Sequence, residues 1–344
     1  MKEASSYYYN QLNKQQQKAY YAMKAGLLAI SPSFFVPKLD GKELMEIFFL
    51  LRLDCPEIFY AEKFTYRYYQ DSETVEMTPE YLFPKKKIEE HKKALDARVK
   101  KLIRPAEKLS DKEKELYIHD FICQNVKYDK LKKQYSHEII GPLTQGIGVC
   151  EGIAKSVKIL CDQLGIWCII AISEANPEKK IKYRHAWNVI RIDGQYYHLD
   201  VTFDNSLGKC GHMRYDYVNL NDKMIYRDHE PVIWKMPACE DGEHTYYREK
   251  KLSFTKYEDI QKRSAQAVKK GKPLLFHWRG GYMTREVVMD FMKIFEEEAA
   301  NKNKFVFVSI NWAQAVMLVE FRVEKAMETV VLEESNEGEK YEES

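Results

Sequence analysis

No stretch of the 344-residue chain is apolar for the roughly 20 residues a bilayer-spanning helix needs; the longest apolar runs cover residues 47–51 and 166–172. A dominant charge sign is missing too. Lys and Arg number 54 against 52 Asp and Glu, a formal +2, which argues against a dedicated nucleic-acid binder. The first residues hold no apolar signal core, so the expected compartment is the cytoplasm, secretion requiring a leader removed beforehand. Cys-x-x-Cys, His-Glu-x-x-His, Gly-x-Ser-x-Gly, a phosphate-binding loop and Asn-x-Ser/Thr are all absent. The seven cysteines are odd in number and scattered, in a chain long enough to do without disulfide staples. Reduced thiols are therefore expected, most of them buried as small hydrophobes. Cys210-Gly211-His212 supplies two ligand types, too few for a metal site.

What is present is an ordinary globular composition, 45% hydrophobic and 31% charged, enough for a sizeable core. Four segments are expected. Residues 1–105 read as a mostly helical N-terminal domain, because helical spacing recurs and glycine is missing from 43–103. Within it, residues 64–69 look like a strand and hairpin, and the lysines at 85–87 belong to a solvated helix face. Residues 106–236 read as a core, opened by a capping box at Ser110 and Glu113. Pro231 and Pro237 mark the next boundary, 237–332 reads as a small α+β domain, and the acidic tail 333–344 as disordered.

The chemistry concentrates in the core. Cys150 follows the glycine-rich stretch 141–148 and opens an amphipathic helix with Ile153, Val157, Leu160 and Leu164 on one face, closed by Gly165. At a helix start, open N–H groups and the positive dipole end favour thiolate. Gly152 is expected to keep the approach to the sulfur uncluttered. Asp193-Gly194 between two β-rich runs predicts a type I′ hairpin with Ile192 opposite Gln195, Val189 opposite His198 and Trp187 opposite Asp200. Period two then puts His185, Trp187, His198 and Asp200 on one face, with His185 and Asp200 within side-chain reach. A thiol, an imidazole and an orienting carboxylate are the parts of nucleophilic acyl transfer. The Cys150 N–H is a candidate oxyanion donor, and the side chains of Gln145 and Tyr128 are candidates for the second. Trp187 reads as packing beside the site, and His198 as a neighbour of the base.

Gly148-Val149-Cys150-Glu151-Gly152-Ile153-Ala154-Lys155, His185-Ala186-Trp187-Asn188 and Tyr197-His198-Leu199-Asp200-Val201-Thr202-Phe203-Asp204 resemble the signature blocks of the bacterial transglutaminase-like superfamily. Residues 214–220, followed by Asp228-His229, resemble its closing segment. The resemblance covers about residues 110–232 and implies an α+β, papain-related core, its nucleophile helix packed on an antiparallel sheet. It also implies thiol chemistry without metal or organic cofactor, with Cys150 as nucleophile, His185 as base, Asp200 as orienting acid and a protein or peptide as substrate. The chain has no evident equivalents of the β-sandwich and barrel domains of animal transglutaminases, nor an acidic cluster for their calcium. Hydrolysis or amidase action is thereby favoured over their cross-linking. The competing class is a non-catalytic adaptor on the same fold. Substrate choice is expected to lie in the cleft walls, including the loop 173–184 with Lys179, Lys180 and Lys182.

Overall fold

The computed structural model describes residues 6–179, 181–208 and 211–323. The acidic tail, Lys180 and Cys210 therefore lie outside the described residues. The chain divides into two units. The first takes residues 1–174, 184–214 and 232–239; the second takes 175–183, 215–231 and 240 onward.

The first unit begins with α1 (Lys14–Leu28), capped by Asn13, then β1 (Phe34–Pro37) and α2 (Gly41–Asp54), capped by Asp40. A hairpin, β2 (Ala61–Tyr68) and β3 (Thr74–Tyr81), extends to the antiparallel sheet β1-β3-β2. The charged helix α3 (Lys85–Ile103) ends before Arg104-Pro105, and α4 (Asp111–Asn125) starts at the expected Ser110/Glu113 capping box. Two short parallel strands, β4 (Lys127–Tyr128) and β5 (Ile147–Gly148), precede α5 (Cys150–Leu164). Next come β6 (Cys168–Ser173), β7 (His185–Ile192), β8 (Gln195–Leu199) and α6 (Val201–Leu207), with β6, β7 and β8 antiparallel in that order.

A separate N-terminal domain ending at 105 is not what forms. Tyr8, Leu50 and Leu53 share one buried cluster with Ala154, Ile170, Ile172 and Ala186 from α5, β6 and β7. Each buried Leu or Ile among them contributes about 1.5–3 kcal/mol, so this seam is a continuous core. Polar bonds fasten it further. Tyr8 Oη donates to the Ile170 carbonyl (2.5 Å), and buried Asp54 accepts from the N–H groups of Tyr8 and Tyr9 and from Tyr20 Oη. The boundary near 236 also shifts, because residues 232–239 return to this unit. Ile233 N–H donates to Ile172 O, and Trp234 packs on Tyr8 and Phe49.

The second unit contains β9 (Val218–Leu220), α7 (Asp222–Ile225), α8 (Tyr246–Glu249), β10 (Ser253–Phe254), α9 (Tyr257–Lys270), β11 (Leu274–Trp278), α10 (Arg285–Ala300), β12 (Phe305–Asn311) and β13 (Val316–Arg322). Its main sheet runs β10-β11-β13-β12, with β10 and β11 parallel and the other pairs antiparallel. Helices and strands together give this unit an α+β character. Ile260, Phe276, Trp278, Phe291 and Phe295 fill its core. No helix among the described residues is long and apolar enough to cross a membrane.

Candidate active site

Helix α5 is more deeply placed than its sequence pattern suggests. Besides the expected apolar face, Lys155, Ser156 and Lys158 are buried, so the helix is wrapped on nearly all sides. Lys158 survives there by pairing with Asp162 (3.0 Å) and donating to the Cys168 carbonyl (3.1 Å). Gly165 ends the helix in the left-handed conformation, φ 79°. At the other end Val149 supplies no side-chain cap, leaving the first-turn amides for another acceptor. Cys150 occupies the first position and is partly exposed.

The strand leading into this turn is held from outside the helix. Tyr128 pairs with Gly148, Asp129 N–H donates to Gly148 O (3.0 Å), and Val149 N–H donates to Ser136 O (3.0 Å). Asp129 organises that loop by accepting from Ser136 Oγ (2.5 Å) and from the Leu131 and Lys133 amides; these bonds hold its carboxyl below the usual range. The expectation for Gly152 is overturned. A Cβ there would lie 2.2 Å from the Ser136 carbonyl oxygen, so the glycine admits the loop backbone against the helix and does not clear a path to the sulfur.

The hairpin register is as expected: Ile192 faces Gln195 and Val189 faces His198, with Asp193 at φ 49° and Gly194 at φ 85° as a type I′ turn requires. Asp200, however, has left the ladder, whose last pair is Asn188 with Leu199. Trp187 therefore has no ladder partner in Asp200. The reason is that Asp200 caps α6, its Oδ1 accepting from the Thr202 and Phe203 amides at 2.8 and 3.0 Å. Its Oδ2 meets His185 Nε2 at 2.6 Å. The carboxylate is fully buried and the imidazole one-fifth exposed, so the open side of the pair is the ring.

The Cys150 thiol is near enough to the same ring to act on its charge. Burial opposes the cation, but the Asp200 charge and hydrogen bond, aided by Cys150, push the His185 pKa up to about 10. Trp187 stacks on this ring at 5.8 Å and Phe203 lies against it at 4.8 Å. Trp187 Nε1 donates to His198 Nδ1 (3.0 Å), and both are buried, so His198 orients the tryptophan.

Residues 97–201 match the family model of the transglutaminase-like superfamily. The chain carries a transglutaminase-like core. No curated protein matches it. A solved structure of a TGase is similar at 12% identity and a TM-score of 0.29, covering 49% of this chain and 50% of that one. A candidate cysteine protease from Cytophaga hutchinsonii is similar at 17% identity and a TM-score of 0.26, covering 41% and 61%. The chain thus spans less than two thirds of either structure.

Within the transglutaminase-like core, Cys150, His185 and Asp200 come together, with Trp187 and His198 behind them. Tyr128 is at the strand beside Gly148, whereas exposed Gln145 spends its amide on neighbouring Thr144 Oγ1 (3.4 Å). Two features escape the sequence reading. One is the ionic network beneath Cys150: Glu151 pairs with Lys155 (2.7 Å), Lys155 with Glu138 (2.8 Å), Glu138 with Arg52, and Glu151 with His137 (3.4 Å). Burial alone would raise the Glu151 carboxyl, but Lys155, His137 and Arg52 hold it well below the ordinary range. Only the Glu151/Lys155 spacing, one helical turn, hints at this in the sequence.

The other is a second thiol–imidazole–carboxylate set. His119 Nε2 lies 3.7 Å from Cys123 Sγ and 3.2 Å from Asp204 Oδ2, and Nδ1 meets Asp120 at 3.0 Å. Its setting differs from that of Cys150. Cys123 sits in the last turn of α4, the negative dipole end, and burial pushes its thiol pKa up.

Proposed function

We propose that the protein is a cysteine-dependent enzyme acting on peptide or glutamine-type amides through a thioester on Cys150. The observation supporting this is the 2.6 Å His185–Asp200 bond with the Cys150 thiol near the same imidazole. Sulfur gives up its proton to His185 and attacks the amide carbonyl. The developing oxyanion is met by the Cys150 N–H at the uncapped helix start. The C–N bond breaks as the imidazolium passes its proton to the leaving amine. Water, or a second amine, then attacks the thioester, giving a proton to His185 and restoring the thiol. Asp200 keeps the ring in one orientation and stabilises its cation, and α6 keeps Asp200 in place.

The test is intact-protein mass spectrometry after exposure to an amide-mimicking electrophile, an acyl chloromethyl ketone. The expected result is one adduct per chain, located on Cys150 by peptide mapping and missing from Cys150→Ala. Labelling of Cys123 instead, or no faster than a free thiol, overturns the reading. Acyl-enzyme formed separately from an activated ester substrate, and offered water or a primary amine, then distinguishes hydrolysis from transamidation.

A further inference from the structure

The second unit contains a cavity of about 540 Å³ between α8, β10 and an outer face of α9. Four cations line it, Arg248, Lys251, Lys262 and Arg263, against one carboxylate, Asp259. The α9 contributors stand three and four residues apart and so share a face. Neither Lys251, Lys262 nor Arg263 has an ion-pair partner among the described residues. Arg263 is pre-placed by stacking over the Phe254 ring at 5.9 Å. Arg248 is paired with Glu243 on one side, while its Nε is buried with no hydrogen-bond partner. Like charges so close together repel one another, and a buried guanidinium donor left unused is costly.

A single carboxylate would neutralise one of these groups. The Arg263 fork, the unused Nε of Arg248 and two ammonium groups match an anion with several oxygens and more than one charge. We propose that this cavity binds a ligand carrying two or more phosphate groups, with Lys262 and Arg263 as its outer clamp and Arg248 as its inner one. The neighbouring polar groups fit the same field. Arg279 Nε donates to Ser253 Oγ (2.8 Å), and that hydroxyl bonds His277 Nδ1 (2.9 Å). Burial, with Arg279, Arg227 and Arg248 nearby, lowers the His277 pKa to about 3, leaving a neutral ring among cations. The proposal is independent of the thioester chemistry.

The experiment is calorimetric titration of the full chain with inorganic pyrophosphate, alongside sedimentation with vesicles containing phosphatidylinositol bisphosphate. Saturable binding of pyrophosphate, weakened about tenfold or more in K262Q/R263Q, is expected. Lys269 and Lys270 at the end of α9, exposed like Lys262 and Arg263 but outside the cavity lining, serve as control, and K269Q/K270Q is expected to bind within about twofold of the parent. Cys150→Ala is expected to bind like the parent. Binding to vesicles but not to pyrophosphate would assign the phosphates to a lipid headgroup; binding to pyrophosphate assigns a soluble ligand. Absence of binding to both, or equal loss in the two double variants, overturns the proposal.

Discussion

Asn188 on β7 donates its side-chain amide to the carbonyl of Ala154 on α5 at 3.0 Å, and to Ile169 O on β6 at 3.2 Å. This one buried group ties the helix that begins at Cys150 to the strand that begins at His185. Replacing it with Ala removes the tie and leaves a void. Asn188→Ala is expected to lose about 1–3 kcal/mol of stability in urea unfolding. It is also expected to lower kcat more than KM, since a small displacement of the ring from the sulfur is costly. An unchanged unfolding midpoint would show that the tie is idle.

Asp200 holds His185 and caps α6 with different oxygens, so its two duties separate by substitution. Asn retains capping capacity but loses the charge. Asp200→Asn is expected to fold and to lose about 10⁴-fold in kcat on any amide the parent turns over. Far-ultraviolet circular dichroism and single-turnover kinetics check the two halves.

The imidazole also leaves a mark on stability. Its pKa rises from an ordinary 6.5 to about 10 in the folded protein, so the folded state holds the extra proton more tightly. The resulting stabilisation is present in full below about pH 6.5 and is lost as pH climbs through about 10. The gap in Tm between the parent and His185→Gln should therefore be widest near pH 6 and shrink steadily towards pH 10. A gap that widens with pH would contradict the ion pair.

Gly152 offers a test of packing next to the thiol. An added methyl would meet the Ser136 carbonyl oxygen at 2.2 Å, and neither helix nor loop is a flexible side chain that can swing aside. Gly152→Ala is expected to cost about 1–3 kcal/mol despite the better helix propensity of alanine. Equal or greater stability in thermal melts would rule out the close approach.

The parts of the site visible in the sequence are those fixed by local chemistry. Asp193-Gly194 sets a turn and thereby a register, Ser110 and Glu113 cap a helix, and Gly165 stops one. What stays hidden depends on distant partners. Nothing local in the sequence announces that Lys155 and Lys158 are buried; Glu138 and Asp162 beside them make it possible. Likewise, Asp200 reads as a strand residue because its capping of α6 competes with the ladder only when the fold forms. The boundary expected at 105 fails for a similar reason: nothing in residues 1–54 announces that Tyr8, Leu50 and Leu53 pack on Ile170 and Ile172.

The network below Cys150 carries the last prediction. Lys155 is fully buried between Glu138 and Glu151 and also donates to the His137 carbonyl at 3.2 Å. Arg52 pairs with Glu138 from its far side and its charge also reaches Glu151, which pairs with His137. Lys155→Met keeps the length of the side chain and removes the charge, leaving Glu151 under-compensated beside Cys150. The expected cost is about 3–5 kcal/mol. Adding Glu151→Gln should recover part of it, because the uncompensated charge goes with the carboxylate. The pH signature has a definite sign. Glu151 is held below its ordinary pKa, so its stabilisation is present above that value and fades as pH falls through the acid range. The parent should therefore lose its advantage over Glu151→Gln on acidification, and urea midpoints across pH 3–7 measure the trend.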